Sequence, residues 1–152
     1  KYPITAFQKH RVPASWSWLE EGPKNDIQLI EPHDKTKEPV LVIALSTKAI
    51  LDRIADRFGD TVSLWSITCN EPGNDMMRCH GLLKQFNQVV RMAMDTIKTA
   101  HSKADCLKIF MAAPASCAVE LGRIRMPKAD LPWVLYDYWV DKDEDIETIT
   151  IK

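Results

Sequence analysis

Leu107-Lys108-Ile109-Phe110-Met111-Ala112-Ala113-Pro114-Ala115-Ser116-Cys117-Ala118-Val119-Glu120-Leu121-Gly122-Arg123 decides how this chain reads. The stretch opens as a short apolar run, turns on small residues and continues with helical periodicity, which predicts strand, tight turn and helix. Pro114 falls in the first turn of that helix, where its missing N–H has no intrahelical partner to lose. Ala115, Ser116 and Cys117 are then expected to leave backbone N–H groups unpaired at the helix start. Small side chains around them let another group approach, and the positive end of the helix dipole favours an anion, phosphate above all. The plainer reading of the same residues is an ordinary strand–helix connection with a tight helix–sheet contact.

Working outward, Val40-Leu41-Val42-Ile43-Ala44-Leu45 is a continuous apolar run without clean alternation, as in a parallel strand covered on both faces. Ser46 follows as a predicted N-cap. The helix after it places Ile50, Leu51, Ile54 and Phe58 at helical spacing and ends at Gly59. Residues 62–69 read as a second strand, and Asn70-Glu71-Pro72-Gly73-Asn74-Asp75 as a loop of turn formers. A long helix is expected over residues 76–100, with Cys79, Leu82, Leu83, Phe86, Val89, Val90, Ala93, Met94 and Ile97 on one stripe. After the third strand and its helix, Leu131-Pro132-Trp133-Val134-Leu135-Tyr136 reads as a strand that has Pro132 at its start. Residues 141–145 form an acidic turn expected to be solvated, and residues 147–151 alternate like a closing antiparallel edge strand.

This order predicts an α/β fold: a Rossmann-like, mostly parallel sheet with helices on both faces and an antiparallel C-terminal edge strand. The lobe is taken as residues 39–152. Residues 1–38 read as an irregular lead-in or linker carrying Pro3, Pro13, Pro23 and Pro32, with short strand candidates at residues 4–7 and 27–30. Trp16 and Trp18, two apart, would share one side of an extended segment. They suit stacking on a nucleobase, or, more plainly, filling a gap against a neighbouring lobe.

In such a sheet ligands sit outside the carboxyl ends of the strands, near a topological switch point. Three segments meet that condition. They supply Ser46, Thr47 and Lys48; Asn70, Pro72 and Asn74; and Ala113, Pro114, Ala115 and Ser116 as candidate ligand-binding residues. One cation, hydroxyls and amides suit a phosphate and a base edge, and equally suit three ordinary helix caps.

The chain has 152 residues, enough for one domain with a real core, and 20 basic against 21 acidic residues leave a formal charge of −1. That balance argues against general DNA or RNA binding and against a basic membrane-surface module. No apolar run is long enough to span a bilayer. With no initiating methionine or signal-like segment, the chain reads as a piece of a longer cytoplasmic protein. Cys69, Cys79, Cys106 and Cys117 form no C-x-x-C pair and are expected to be buried free thiols. Cys79 and His80 lack a second ligand pair at zinc spacing, so neither a metal nor a cofactor is expected.

There is no P-loop, no G-x-G-x-x-G and no G-x-S-x-G elbow. His10, His33, His80 and His101 are scattered without a paired spacing. His80, beside Arg78 near a helix start, is expected on the surface; His101, at a helix end, is expected to complement the dipole. No catalytic constellation emerges.

The run Pro114-Ala115-Ser116-Cys117-Ala118-Val119-Glu120-Leu121-Gly122-Arg123, followed by Met126-Pro127-Lys128-Ala129-Asp130-Leu131-Pro132 and Tyr136-Asp137, closely resembles the end of the SAVED domain. The resemblance reaches back through Val89-Val90-Arg91 and Ala44-Leu45-Ser46, covering roughly residues 40–137. It implies a CARF-like lobe, normally one of two fused lobes that bind a cyclic oligonucleotide in a shared cleft. It also implies attachment to an effector in CBASS or type III CRISPR antiviral signal transduction, and ligand-dependent homo-oligomerisation. The expected ligand is a cyclic di-, tri- or tetranucleotide. The expected protein partners are the second SAVED lobe and the effector, neither visible in this chain. On this reading the lobe is a non-enzymatic sensor. The alternatives are a ring nuclease using Ser46, Thr47 or Lys48 to position a 2′-hydroxyl, and a ligand-free structural lobe.

Overall fold

A computed structural model describes residues 5–22 and 24–152. Ile4 of the first strand candidate lies outside them, as do Pro3 and Pro23, and residues 5–7 carry no strand. The lead-in forms a short antiparallel pair, β1 (His10–Arg11) with β2 (Ala14–Ser15). The elements that follow are β3 (Ile27–Ile30), β4 (Glu38–Ala44), α1 (Ala49–Phe58), β5 (Val62–Cys69), α2 (His80–Ala100), β6 (Leu107–Ala112), α3 (Ala115–Ile124), β7 (Trp133–Trp139) and β8 (Glu144–Ile151).

Six strands form one sheet in the order β3-β5-β4-β6-β7-β8. The four central strands are parallel, and β3 and β8 close the two edges antiparallel, so the lead-in supplies one edge itself. The apolar run of β4 explains its central place. Leu41, Ile43 and Leu45 pack under α2 and α3 on one face, and Val40, Val42 and Ala44 pack under α1 on the other, all inaccessible to solvent. A strand so covered must be apolar on both sides.

α1 stops at Gly59, whose φ of +51° favours glycine. α2 starts at His80 rather than near Met76, with Cys79 extended before it. The reason is tertiary: the Leu19 N–H donates to the Arg78 carbonyl at 2.9 Å, and Leu19 bridges Cys79 in parallel, so the backbone there pairs with the lead-in. Met76 and Met77 serve the core from an irregular turn, as does Met94 from the helix, whereas Met92 is exposed.

Two expectations about charge are corrected. Asp145 is not a solvated turn residue. It lies in β8, 6% exposed, and takes Arg53 Nε at 3.1 Å and Arg53 Nη2 at 2.9 Å, with Arg57 Nη1 donating to its carbonyl at 2.8 Å. His101 is not a dipole-complementing cation. It is buried and accepts the Trp65 indole N–H on Nε2 at 3.0 Å, which requires that nitrogen unprotonated.

Candidate functional site at the mouth of the parallel sheet

From β4 the chain crosses by α1 to β5 on one side, and from β5 it returns by α2 to β6 on the other. The switch point therefore lies between β4 and β6, where α1 and α3 start on opposite faces. The N–H groups of Leu45 and Ser46 both donate to the Ala112 carbonyl, at 2.9 and 2.8 Å, locking the two strand ends together. The Gly73 N–H donates to the Leu45 carbonyl at 2.9 Å and draws the 70–75 loop onto the same strand end. All three segments singled out in the sequence thus meet at one mouth.

Within it Thr47, Lys48, Asn70, Asn74 and Ala115 are exposed, Ser46, Pro72 and Ala113 are half-buried, and Pro114 and Ser116 are buried. Ser46 is not the cap of α1. Lys48 occupies that position without a side-chain capping bond, and Thr47 Oγ1 accepts the Ala49 N–H at 3.2 Å. A lysine at the positive end of a helix is electrostatically unfavourable unless an anion joins it.

At α3, Pro114 is the residue before the first turn rather than within it, with φ −56° and ψ 149°. The expectation of unpaired N–H groups there is overturned for two of the three. The Cys117 N–H donates to the Pro114 carbonyl at 2.9 Å, and the Ser116 N–H donates to Gln8 Oε1 at 3.2 Å. Ser116 Oγ also donates to that oxygen, at 3.0 Å.

Gln8 belongs to a strap, residues 5–22, laid across the mouth. Asp75 accepts the N–H groups of Arg11 and Val12 at 3.1 and 3.2 Å, and Arg78 Nη2 donates to the Val12 carbonyl at 2.7 Å. Trp18 lies against the His80 ring, centroids 4.7 Å apart, and gives its indole N–H to the Ala6 carbonyl at 3.1 Å. Trp18 thus fills a gap within this lobe, while Trp16 is exposed. Just after the strap, Asn25 clamps the 70–75 loop by donating to the Glu71 carbonyl at 2.8 Å and accepting the Glu71 N–H at 3.0 Å. Gln8 and Asn25 carried no signal in the sequence: both are neutral, and Gln8 stands 108 positions from its partner.

The residues most specific to the resemblance tie α3 and the loop after it to α2. Asp130, its side chain 1% exposed, receives Arg91 and accepts the Met126 N–H at 2.7 Å. Buried Glu120 on α3 accepts Asn87 Nδ2 of α2 at 3.2 Å and pairs with Arg123 at 2.6 Å. These bonds hold α3 against α2. All four cysteines are free, and burial pushes the Cys117 thiol up to about 12. Among the described residues no group of three or more His, Cys, Asp or Glu could hold a metal ion, and no helix is long and apolar enough to cross a membrane.

A mostly parallel sheet with its switch point lined by short loops and two helix starts defines a Rossmann-like α/β lobe, and the comparisons with known proteins agree on that fold. The sequence model of SAVED, the SMODS-associated and fused to various effectors sensor domain, matches residues 1–151. The chain belongs to the SAVED family. None of the curated proteins matches it. Among solved structures it is similar in fold to the Acinetobacter baumannii Cap4 SAVED/CARF-domain containing receptor with the cyclic trinucleotide 2′3′3′-cAAA. That match has a TM-score of 0.60 at 22% identity over 88% of this chain and 28% of the receptor chain. The same receptor with 3′3′3′-cAAA matches with a TM-score of 0.60 at 19% identity, again over 88% and 28% of the two chains. A further structure of the receptor matches at 0.53 and 20% identity, over 82% and 25%. The chain thus spans little more than a quarter of the length of these receptors.

Proposed function

We propose that this lobe recognises a cyclic oligonucleotide, without turning it over, and passes the binding event to an attached effector in a cytoplasmic antiviral signalling protein. The observation that carries the reading is Lys48. Lys48 stands exposed at the start of α1, two residues past Ser46, whose N–H the Ala112 carbonyl holds at the strand end that leads to α3. Two helix starts and one cation thus flank the same strand ends, which suits the phosphates of a compact ring. Ser46, Thr47, Asn70 and Asn74 offer hydroxyls and amides for sugar and base edges, and Pro72 with Ala113, Pro114 and Ala115 gives an uncrowded wall. Ser116 stands at the start of α3, where Gln8 holds its N–H and hydroxyl. Family membership and the cyclic trinucleotides held by the similar Cap4 receptors support this ligand class. The second lobe, the effector and ligand-dependent oligomerisation belong to the same reading.

Titration calorimetry with cyclic di-, tri- and tetra-adenylates tests it, with chromatography of the ligand after incubation. The expected result is saturable binding of one ring size and recovery of intact ring. Absence of binding by this chain joined to its second lobe overturns the reading. A linear product transfers it to the ring nucleases.

A further inference from the structure

The strap lying across the mouth buries two of its own side chains. Gln8 and His10 are 8% and 4% exposed, whereas Lys9 and Arg11 between and beyond them point outward. That alternation is the signature of an extended segment facing inward with every second residue. Gln8 places one carbonyl oxygen within reach of two donors at the start of α3, the Ser116 N–H and its hydroxyl. Two convergent donors on one oxygen form the geometry by which a helix start holds a phosphate oxygen.

His10 is the second and independent observation. Its ring packs edge-on against Trp18, centroids 6.3 Å apart, and neither ring nitrogen has a hydrogen-bond partner among the described residues. A buried imidazole with both nitrogens unpartnered is costly, because it gives up water at a donor and an acceptor and regains neither. The strap is otherwise well anchored, at Asp75, Arg78 and His80, so it need not lift as a whole. Rotation of the Gln8 side chain alone would free the Ser116 donors.

We propose that Gln8 is a built-in competitor for the anion seat of α3, displaced when a ligand phosphate arrives, and that His10 is a further ligand-contacting residue that gains its missing hydrogen bond from that ligand. This rests on the reading of the mouth as a cyclic-oligonucleotide site. It sets the affinity of the mouth by competition: the ligand must replace a neutral amide already in place.

The test compares 2′3′3′-cAAA and its 3′3′3′ isomer by calorimetry on the wild-type protein and three variants, with melting temperature and amide hydrogen exchange at Ser116 as controls. Gln8→Leu removes the competitor and is expected to speed Ser116 exchange in the free protein and to tighten binding by about fivefold, the worth of one ordinary hydrogen bond. Gln8→Glu leaves an anion on the seat and is expected to weaken binding by about tenfold while the protein stays folded. His10→Phe removes an unpartnered polar ring, so the free protein melts no lower, yet binding weakens by about tenfold. Wild-type binding that Gln8→Leu leaves unchanged or weaker overturns the competitor, and wild-type binding that His10→Phe leaves intact overturns the contact. Failure of the wild type, joined to its second lobe, to bind either ring, or any of the other ring sizes, removes the function reading itself, and the two failures are told apart by that wild-type titration alone.

Discussion

Trp65 gives its indole N–H to Nε2 of His101 across 3.0 Å, joining the centre of β5 to the end of α2 inside the core. The bond needs a neutral ring, and burial holds the His101 pKa below its ordinary value of 6.5. The unfolded chain therefore takes up the proton first as pH falls, and the stability this pair contributes is complete above about pH 6.5 and lost below it. Denaturant titrations at pH 7.5 and 5.5 should show the wild type weaker at pH 5.5. In His101→Gln part of that slope should vanish; an unchanged slope would place the titration elsewhere.

Asp145 ties the β8 edge to α1 through Arg53 and Arg57, and the Arg53 guanidinium also lies 3.9 Å from the Tyr138 ring centroid. Removing the carboxylate leaves two guanidinium groups crowded together, although both retain some water. Asp145→Ala should cost about 2–3 kcal/mol. For a domain of this size that is a fall of roughly 5–10 °C in melting temperature by calorimetry.

Asp130 is more deeply enclosed than its partner Arg91, and the pair is reinforced by the Met126 N–H. Arg91→Ala strands a buried carboxylate and should cost about 3–4 kcal/mol, whereas the double variant Arg91→Met, Asp130→Leu should recover much of the loss. Chemical denaturation of the single and double variants reads the difference directly.

Lys48 should separate binding from stability. Lys48→Glu replaces an unfavourable charge at the start of α1 with a favourable one, so the melting temperature should hold or rise slightly. Affinity for a cyclic oligonucleotide should fall by about tenfold or more. Equal affinity would show that the ring does not reach α1.

Cys117 should be inert while the protein is folded. With its thiol raised by burial to about 12, roughly one molecule in ten thousand carries the thiolate at pH 8. Iodoacetamide followed by mass spectrometry should leave Cys117 unmodified in the native protein and alkylate it in denaturant.

The central sheet was legible because its sequence leaves few options. Residues 40–45 are apolar on both faces, and only a central strand with helices above and below can bury both. The turn residues at 70–75 and the small residues at 113–116 likewise marked strand ends, and the fold brings these to one end of the sheet. Asp145 misled because an acidic cluster reads as solvated unless its cations are visible, and Arg53 stands 92 positions away. The start of α2 misled because Met76 and Met77 have helical propensity and spacing, while the backbone there is held by Leu19.

By itself the sequence determined the order of strands and helices from β4 onward, the burial of both faces of β4, and membership of the SAVED family, because each is written in local pattern. Only the tertiary structure decided that a segment from the start of the chain lies across the mouth and that Gln8 holds the start of α3. Hydrogen bonds between neutral side chains and distant backbone leave no periodicity behind, and they exist only once the chain has closed on itself.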